Sequence, residues 1–327
     1  MQGFLDITQV QEHNFEAEAL RLFQFQYAQN NIYRAYCDAL NVNPDAVNCL
    51  EKIPFLPIQF FKTHTLKTTE FESALIFESS TTTGMIPAKH HLLSPDLYTQ
   101  SFETCFDMFY GKPENYCILG LLPSYLERKN SSLVYMVNAL IEKSQHPQSG
   151  FYLYDLYALA SVLSTLELRA EPVILIGVTY ALLDFAEKFP MPLSHCHLVE
   201  TGGMKGRRQE LTREEVHEIL QQKFRVPTVH SEYGMAELLS QAWSKGNGIF
   251  ECPPWMKVLP RAEDDPLTIL APDAKRNAVL NIIDLANQYS CAFIATEDMG
   301  LVFPDGRFKI TGRLDQSDLR GCGLMIV

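Results

Sequence analysis

Short apolar runs alternating with helix-period segments constrain this chain most. "YCILGLLP" (116–123) and "EPVILIGV" (171–178) each read as a buried strand. After the second, Leu182, Phe185, Ala186 and Phe189 recur at helical spacing, which makes a strand–turn–helix unit. "HCHLVETGG" (195–203) repeats the strand and runs into a glycine turn. Thr212 and Glu215 then form a capping box before an apolar helix face of Val216, Ile219, Leu220 and Phe224. "VPTVHSEYGMAELL" (226–239) reads as a further strand–turn–helix, and "LVFPDGRFKITGR" (301–313) as a hairpin turning at Pro304-Asp305-Gly306. Strands alternating with helices predict an α/β fold with its functional loops at the C-terminal strand ends. The first 50 residues read as helical. In "IPFLPIQFF" (53–61), Pro54 and Pro57 forbid a regular helix.

The 327 residues suffice for one large α/β unit or two domains, and no repeat or low-complexity linker marks an interior boundary, so 1–327 is read as a single large domain. A formal net charge of −12 argues against a partner such as nucleic acid or an anionic membrane surface. No apolar run is long enough to predict a membrane span, and the N-terminal sequence has no secretory pattern. The eight cysteines form no CxxC pair, which fits reduced thiols and a cytoplasmic location rather than zinc or a disulfide framework.

Chemistry concentrates in a few stretches. In "IFESSTTTGMIPAKHH" (76–91), Ser79, Ser80, Thr81, Thr82, Thr83 and Gly84 make a hydroxyl-rich loop with Lys89 behind it. Such side chains compete with helical hydrogen bonds, so the run either caps and turns in solvent or folds over a group rich in acceptors, such as a triphosphate. It is not a Walker loop. In "VHSEYGMAELLSQ" (229–241), Tyr233 and Gly234 stand at a strand end. Tyr233 suits stacking on a flat base and Glu237 suits holding Mg²⁺; equally, they suit a core tyrosine and a first-turn helix glutamate. In "TEDMG" (296–300) and "TGRLDQSDLRGCG" (311–323), Asp298 suits accepting from ribose hydroxyls and Arg313 suits the same ribose or a phosphate, although either also passes as turn chemistry.

Other features are weaker. His195 and His197 alternate on one strand face but lack a third ligand, which favours structural histidines. His90-His91 reads as polar strand residues or as a phosphate contact. Gly202-Gly203 with Lys205 and Gly206 is too loose for a dinucleotide fingerprint, and no G-x-S-x-G elbow supports a serine hydrolase. Cys322 is flanked by Gly321 and Gly323 and follows Arg320, a setting for a mobile thiolate as well as for a small buried residue.

Taken together, S-S-x-T-T-G, Y-G-x-x-E, T-x-D and G-R-x-D resemble the signature set of the adenylate-forming superfamily. "IPFLPIQFFKTH", "ETGGMKGRRQEL", "YGMAELLSQ" and "GRLDQSDLRGCGLM" resemble the LuxE-type acyl-protein synthetases within it. The resemblance covers nearly the whole chain. It implies the N-terminal-domain architecture of adenylate-forming enzymes, with mixed and parallel sheets flanked by helices, and it implies ATP and Mg²⁺. The expected reaction activates a carboxylic acid, of the fatty class, as an acyl-adenylate and transfers the acyl group to cysteine as a thioester.

In that resemblance Ser79 to Gly84 and Lys89 hold phosphates, with Lys89 also catalytic. Glu237 holds the metal, Gly202-Gly203 line the adenine and acyl pocket, Tyr233-Gly234 meet adenine, and Asp298 with Arg313 hold the ribose. Cys322 accepts the acyl group, and the implied partner is a reductase or carrier protein. Thr81 stands where glycine is usual, Ala236 where Thr or Ser is usual, and Lys89 falls slightly late. The expectation is also of a helical segment 1–50, a C-terminal tail 314–327, and no mobile C-terminal domain after the G-R-x-D motif. An acyl- or aryl-CoA ligase and a non-catalytic binding relative are the alternatives.

Overall fold

The computed structural model describes residues 4–79, 86–122, 130–202 and 211–314. Towards the N-terminus two helices, α1 (Phe15–Gln29) and α2 (Asn31–Ala39), meet at a corner made by one residue. The Asn30 backbone N–H donates to Gln26 and closes α1, while its Oδ1 accepts from the Tyr33 N–H at 3.0 Å and caps α2.

The prolines of the connector end that helical run. They leave a two-residue strand, β1 (Leu56–Pro57), and a single-turn helix, α3 (Phe60–Thr63). Pro57 has no N–H to donate, and β1 lies on a sheet edge where none is needed. A hairpin of β2 (Leu75–Glu78) and β3 (Lys89–Leu92) leads into α4 (Asp96–Tyr110).

The next stretch is a strand–helix alternation. Its elements are β4 (Cys117–Leu121), α5 (Ser132–Ser144), β5 (Gly150–Phe151), α6 (Leu156–Leu168), β6 (Val173–Val178), α7 (Thr179–Lys188), β7 (Cys196–Thr201), α8 (Arg213–Phe224) and β8 (His230–Tyr233). These strands pair in parallel in the order β5-β4-β6-β7-β8, and β9 (Ala242–Ser244) closes the edge antiparallel. Every residue of β4 and β6 is buried, because α5 packs on β4 and α7 on β6 and β7. Fully burying each such Ile, Leu or Val contributes roughly 1.5–3 kcal/mol.

A second sheet follows from β10 (Ile249–Phe250), β11 (Met256–Arg261), β12 (Asp273–Asp284), β13 (Phe293–Val302) and β14 (Phe308–Arg313), ordered β10-β14-β13-β12-β11. It is antiparallel except where β1 joins β13 in parallel. This mixture of sheets and flanking helices is the α/β class the alternation predicts. Among the described residues no helix is long and apolar enough to cross a membrane.

Two local readings hold in detail. The Thr212–Glu215 capping box opens α8, with Val216, Leu220 and Phe224 buried and Ile219 half-buried. The β13–β14 hairpin turns at Pro304-Asp305-Gly306, where Gly306 has φ +84° and its N–H donates to the Phe303 carbonyl at 3.0 Å.

One reading fails. The segment after Gly234 is a turn and not a helix: Leu238 N–H reaches back only to the Met235 carbonyl, at 3.1 Å. The next two backbone donors, on Leu239 and Ser240, are taken instead by the Asp284 carboxylate at 2.8 and 2.9 Å. Glu237 therefore gains nothing from a helix dipole.

The β13–β14 register slips between Met299 and Gly300. A Cβ on Gly300 would lie 2.2 Å from the Lys309 carbonyl oxygen, so only glycine fits. Gly300→Ala is expected to lower stability by about 1–3 kcal/mol, measured as the urea midpoint. An unchanged midpoint would show that the bulge relaxes freely.

Candidate active site

Residues singled out separately in the sequence meet where the parallel sheet abuts the antiparallel one. Tyr233 ends β8, and its hydroxyl donates to Asp298 Oδ2 at 2.7 Å. Arg313 Nε donates to Asp298 Oδ1 at 2.9 Å, and the two residues are direct cross-strand partners on β13 and β14. Burial and the Asp298 charge push the Tyr233 hydroxyl well above its usual range, so it stays a donor. The Tyr233 ring packs against Phe250 and Phe308, with centroids 5.8 and 5.4 Å away. Thr296 fixes the strand beneath: its hydroxyl accepts from the Asp298 N–H at 3.1 Å and donates to the Leu280 carbonyl at 2.7 Å.

Gly234 follows, where any larger residue would displace the Glu232 carboxyl. A Cβ there would stand 2.4 Å from Glu232 Oε1. Glu237 lies on the adjoining turn, only 6 % exposed. Burial raises its pKa, against the opposing effect of its own backbone N–H and the nearby charges of Lys62 and Arg313, while Asp298 adds to the rise.

Sequence reasoning passed over the groups that hold this turn. Asp284 accepts from Leu239 N, Ser240 N, Ser240 Oγ and Ala286 N, and Asn287 Nδ2 donates to the Glu237 carbonyl at 2.8 Å. The polar run that follows the apolar end of β12, "DLANQ", is the signal that pointed to them.

His90 was read as a polar strand residue or a phosphate contact, and it proves to be a buried strut. Its Nδ1 lies 2.9 Å from the Ala236 carbonyl, which can only accept, so Nδ1 carries the proton. Nε2 then accepts from the Ser290 hydroxyl at 2.7 Å. Burial pushes its pKa down to about 4.

Two further carboxylates lie close by on opposite sheet faces. Glu232 is raised to about 7 by burial; the Thr201 hydroxyl at 2.7 Å opposes this and Glu200 adds to it. Glu200 itself is lowered, because bonds and charges from His217, Arg213 and Thr179 outweigh its burial.

The hydroxyl loop is gripped at its neck. The Ser79 N–H donates to the Ala88 carbonyl at 3.0 Å, and Ser79 Oγ accepts from the Ala88 N–H at 2.9 Å. Lys89 is exposed, 3.9 Å from Glu78 and directly before His90, so this neck is tied to the Glu237 turn. Gly202 follows β7, with nothing within 4 Å of the place a Cβ would take. Ser80, Thr81, Thr82, Thr83, Gly84, Gly203 and Cys322 lie outside the described residues.

Among the described residues no cluster of three or more His, Cys, Asp or Glu side chains is arranged for a metal; the His197 ring packs against Tyr110, Tyr116 and His230, with centroids 5.9, 6.0 and 5.1 Å away. The described cysteines are all free thiols.

His90 supplies a pH test. Its folded pKa of about 4 lies below the ordinary 6.5, so its stabilising contribution is full above pH 6.5 and is lost as pH falls towards 4. Relative to His90→Gln, the wild type is expected to lose up to about 3 kcal/mol over that window, read from urea unfolding at stepped pH. Parallel curves for the two proteins would contradict a neutral, buried imidazole.

The whole arrangement has known counterparts. The chain aligns with ATP-bound MatB from Rhodopseudomonas palustris at a TM-score of 0.55 and 15% identity, covering 74% of this chain and 48% of that one. It aligns with a long-chain-fatty-acid-CoA ligase from Archaeoglobus fulgidus at 0.52 and 15%, covering 77% and 54%. With O-succinylbenzoate coenzyme A synthetase from Bacillus subtilis in complex with AMP the values are 0.50 and 15%, covering 76% and 50%. At such identity these likenesses establish the fold, and the chain spans about half the length of each of these structures. No curated protein matches the sequence. The sequence profile of the acyl-protein synthetases, LuxE, matches residues 5–327. The chain therefore belongs to the LuxE acyl-protein synthetase family.

Proposed function

We propose that this protein activates a carboxylic acid of the fatty class with ATP and Mg²⁺ and passes the acyl group to a thiol. The observation that carries this reading is the Tyr233–Asp298–Arg313 contact beside the Glu237 turn, in a chain of the LuxE family. A carboxylate has about four acceptor positions. Tyr233 and Arg313 occupy one on each oxygen of Asp298, which leaves the others for the two hydroxyls of a ribose. Arg313 offers the rest of its guanidinium to the same sugar or to the phosphate beyond it. Tyr233 borders the adenine, and the Gly202-Gly203 turn the adenine and acyl group. Ser79 to Gly84, with Lys89, wrap the phosphates.

Glu237 fits a metal of this kind. Mg²⁺ takes one or two carboxylates from a protein and fills its remaining positions with phosphate oxygen and water. Bound there, it would neutralise phosphate charge. Burial raises the Glu237 pKa, and a cation beside it would act in the opposite direction, favouring the carboxylate.

The chemistry then balances in two steps. The acid's carboxylate oxygen attacks the α-phosphorus and the bond to the bridging oxygen breaks, so pyrophosphate leaves with that electron pair. A thiolate next attacks the acyl carbon, and AMP leaves from the mixed anhydride. Residues 1–327 act as one unit in this reading, with 314–327 a tail whose Cys322 takes the acyl group before handing it to a reductase or carrier protein.

ATP–pyrophosphate exchange across a panel of carboxylic acids tests the first step, and exchange with no acid would defeat it. Glu237→Gln is expected to slow exchange on the order of 100-fold with little change in melting temperature, since the amide keeps the shape and loses the charge. Cys322→Ser is expected to leave exchange intact and to abolish the hydroxylamine-sensitive acyl-protein. If wild-type protein carries no acyl mass on the Cys322 peptide, the acceptor is another thiol, and formation of acyl-CoA identifies which.

A further inference from the structure

Adenylate formation drives a carboxylate against a phosphate inside a chain of net charge −12, so the cations near the reacting atoms matter. Arg313 is committed to Asp298 and Lys89 stands by Glu78. Lys62 is neither: it is exposed, and among the described residues it forms no ion pair.

Its position is set by α3, which is pinned on three sides. Phe60 packs edge-on to Tyr36 with centroids 5.8 Å apart, and Phe61 packs on His90 at 5.5 Å. Gln59 Nε2 donates to Glu297 Oε1. His90 in turn holds the Ala236 carbonyl, next to Glu237, while Glu297 is next to Asp298. The parallel pairing of β1 with Ile294 and Ala295 and the Ile58 N–H bond to the Ala295 carbonyl at 3.0 Å fix the same register. The turn that carries Lys62 is thus tied to Glu297, next to Asp298, through Gln59, and to Ala236, next to Glu237, through His90. Lys62 also lies near enough to Glu237 for its charge to oppose the effect of burial on that carboxyl.

Resting on the reading above, we propose that Lys62 is a catalytic residue whose ammonium meets the α-phosphate and the incoming carboxylate during adenylate formation. It keeps its proton throughout: the carboxylate oxygen bonds to phosphorus, pyrophosphate leaves with its electron pair, and the ammonium offsets the charge that gathers on the non-bridging oxygens. Such an interaction is stronger in the transition state than in the ground state, so it governs turnover more than substrate binding.

Lys62→Met and Lys62→Arg test it in the full-length chain. The Met variant is expected to lose about 100-fold in exchange kcat with a change in the KM for ATP below about threefold. The Arg variant keeps the charge and recovers to within about tenfold of wild type, and both melt like wild type because the side chain is exposed. A Met variant with wild-type kcat, or one altered only in KM, overturns the assignment. A second arm needs no turnover. Binding of a stable alkyl ester of AMP, which retains the anionic α-phosphate, is expected to weaken about tenfold in Lys62→Met while adenosine binds equally. Equal affinity for the ester overturns the role of Lys62, whereas a wild type that binds the ester and exchanges with no acid overturns only the proposed function.

Discussion

The buried carboxylate of Asp284 ties the two sheets together at the site. It lies at the end of β12, and three backbone N–H groups and the Ser240 hydroxyl donate to it. Burial works to raise its pKa and these four donors oppose the rise. Trp255 extends the network, giving its indole N–H to the hydroxyls of Ser101 and Ser240, each at 3.0 Å. Such a group is costly to bury and more costly to disturb, since losing it strands several buried donors at roughly 1–3 kcal/mol each. Through it, the loop that carries Gly234 and Glu237 has a single path, and Tyr233 and Asp298 are presented to each other from different sheets.

Around that loop the charge is unbalanced. Glu232, Glu237, Asp284 and Asp298 are all buried within a short stretch of structure, and three of them are pushed up by burial. A site of this kind is poorly matched to a bare polyanion. A divalent cation and the ammonium and guanidinium groups at its rim would improve the match. Nearby opposite charge lowers a carboxyl's pKa and so counters the rise that burial causes in Glu232, Glu237 and Asp284. The same imbalance explains why Arg313 is held by Asp298 rather than left to search.

Much of this was legible in the sequence where the cause was local. The strands β4 and β6 are apolar throughout because both faces are covered, and an uninterrupted apolar run needs no partner to be recognised. The capping box before α8 and the Pro-Asp-Gly turn are likewise written in adjacent residues. Tyr233, Asp298 and Arg313 were each visible singly, and the register of β13 on β14 is what joins two of them. The turn after Gly234 was misread because Met-Ala-Glu-Leu-Leu has high helix propensity. What defeats the helix is a carboxylate 44 and 45 residues further on that takes its donors, and no window of local sequence contains that. The role of His90 is hidden for the same reason, since its contacts with Ala236 and Ser290 are made by tertiary packing.

Burial that shapes the site also bears on the second half of the proposed reaction. It pushes Cys37, Cys196, Cys252 and Cys291 up to about 12 and Cys117 to about 11. At neutral pH such thiols are ionised only to about one part in 10⁴ to 10⁵, and the thiolate is the nucleophile. On the proposed reading, the packed body therefore silences these five cysteines, which would protect a mixed anhydride from capture at the wrong sulfur. A productive acceptor has the opposite requirements: exposure, a nearby cation and backbone freedom to approach the acyl carbon. In the sequence, Arg320 supplies a cation, and Gly321 and Gly323 conformationally permissive neighbours, beside Cys322. In the proposed reaction, adenylation and thiol capture thus make opposite demands on a chain, one for polar groups fixed by burial and the other for an ionisable thiol that can approach the acyl carbon.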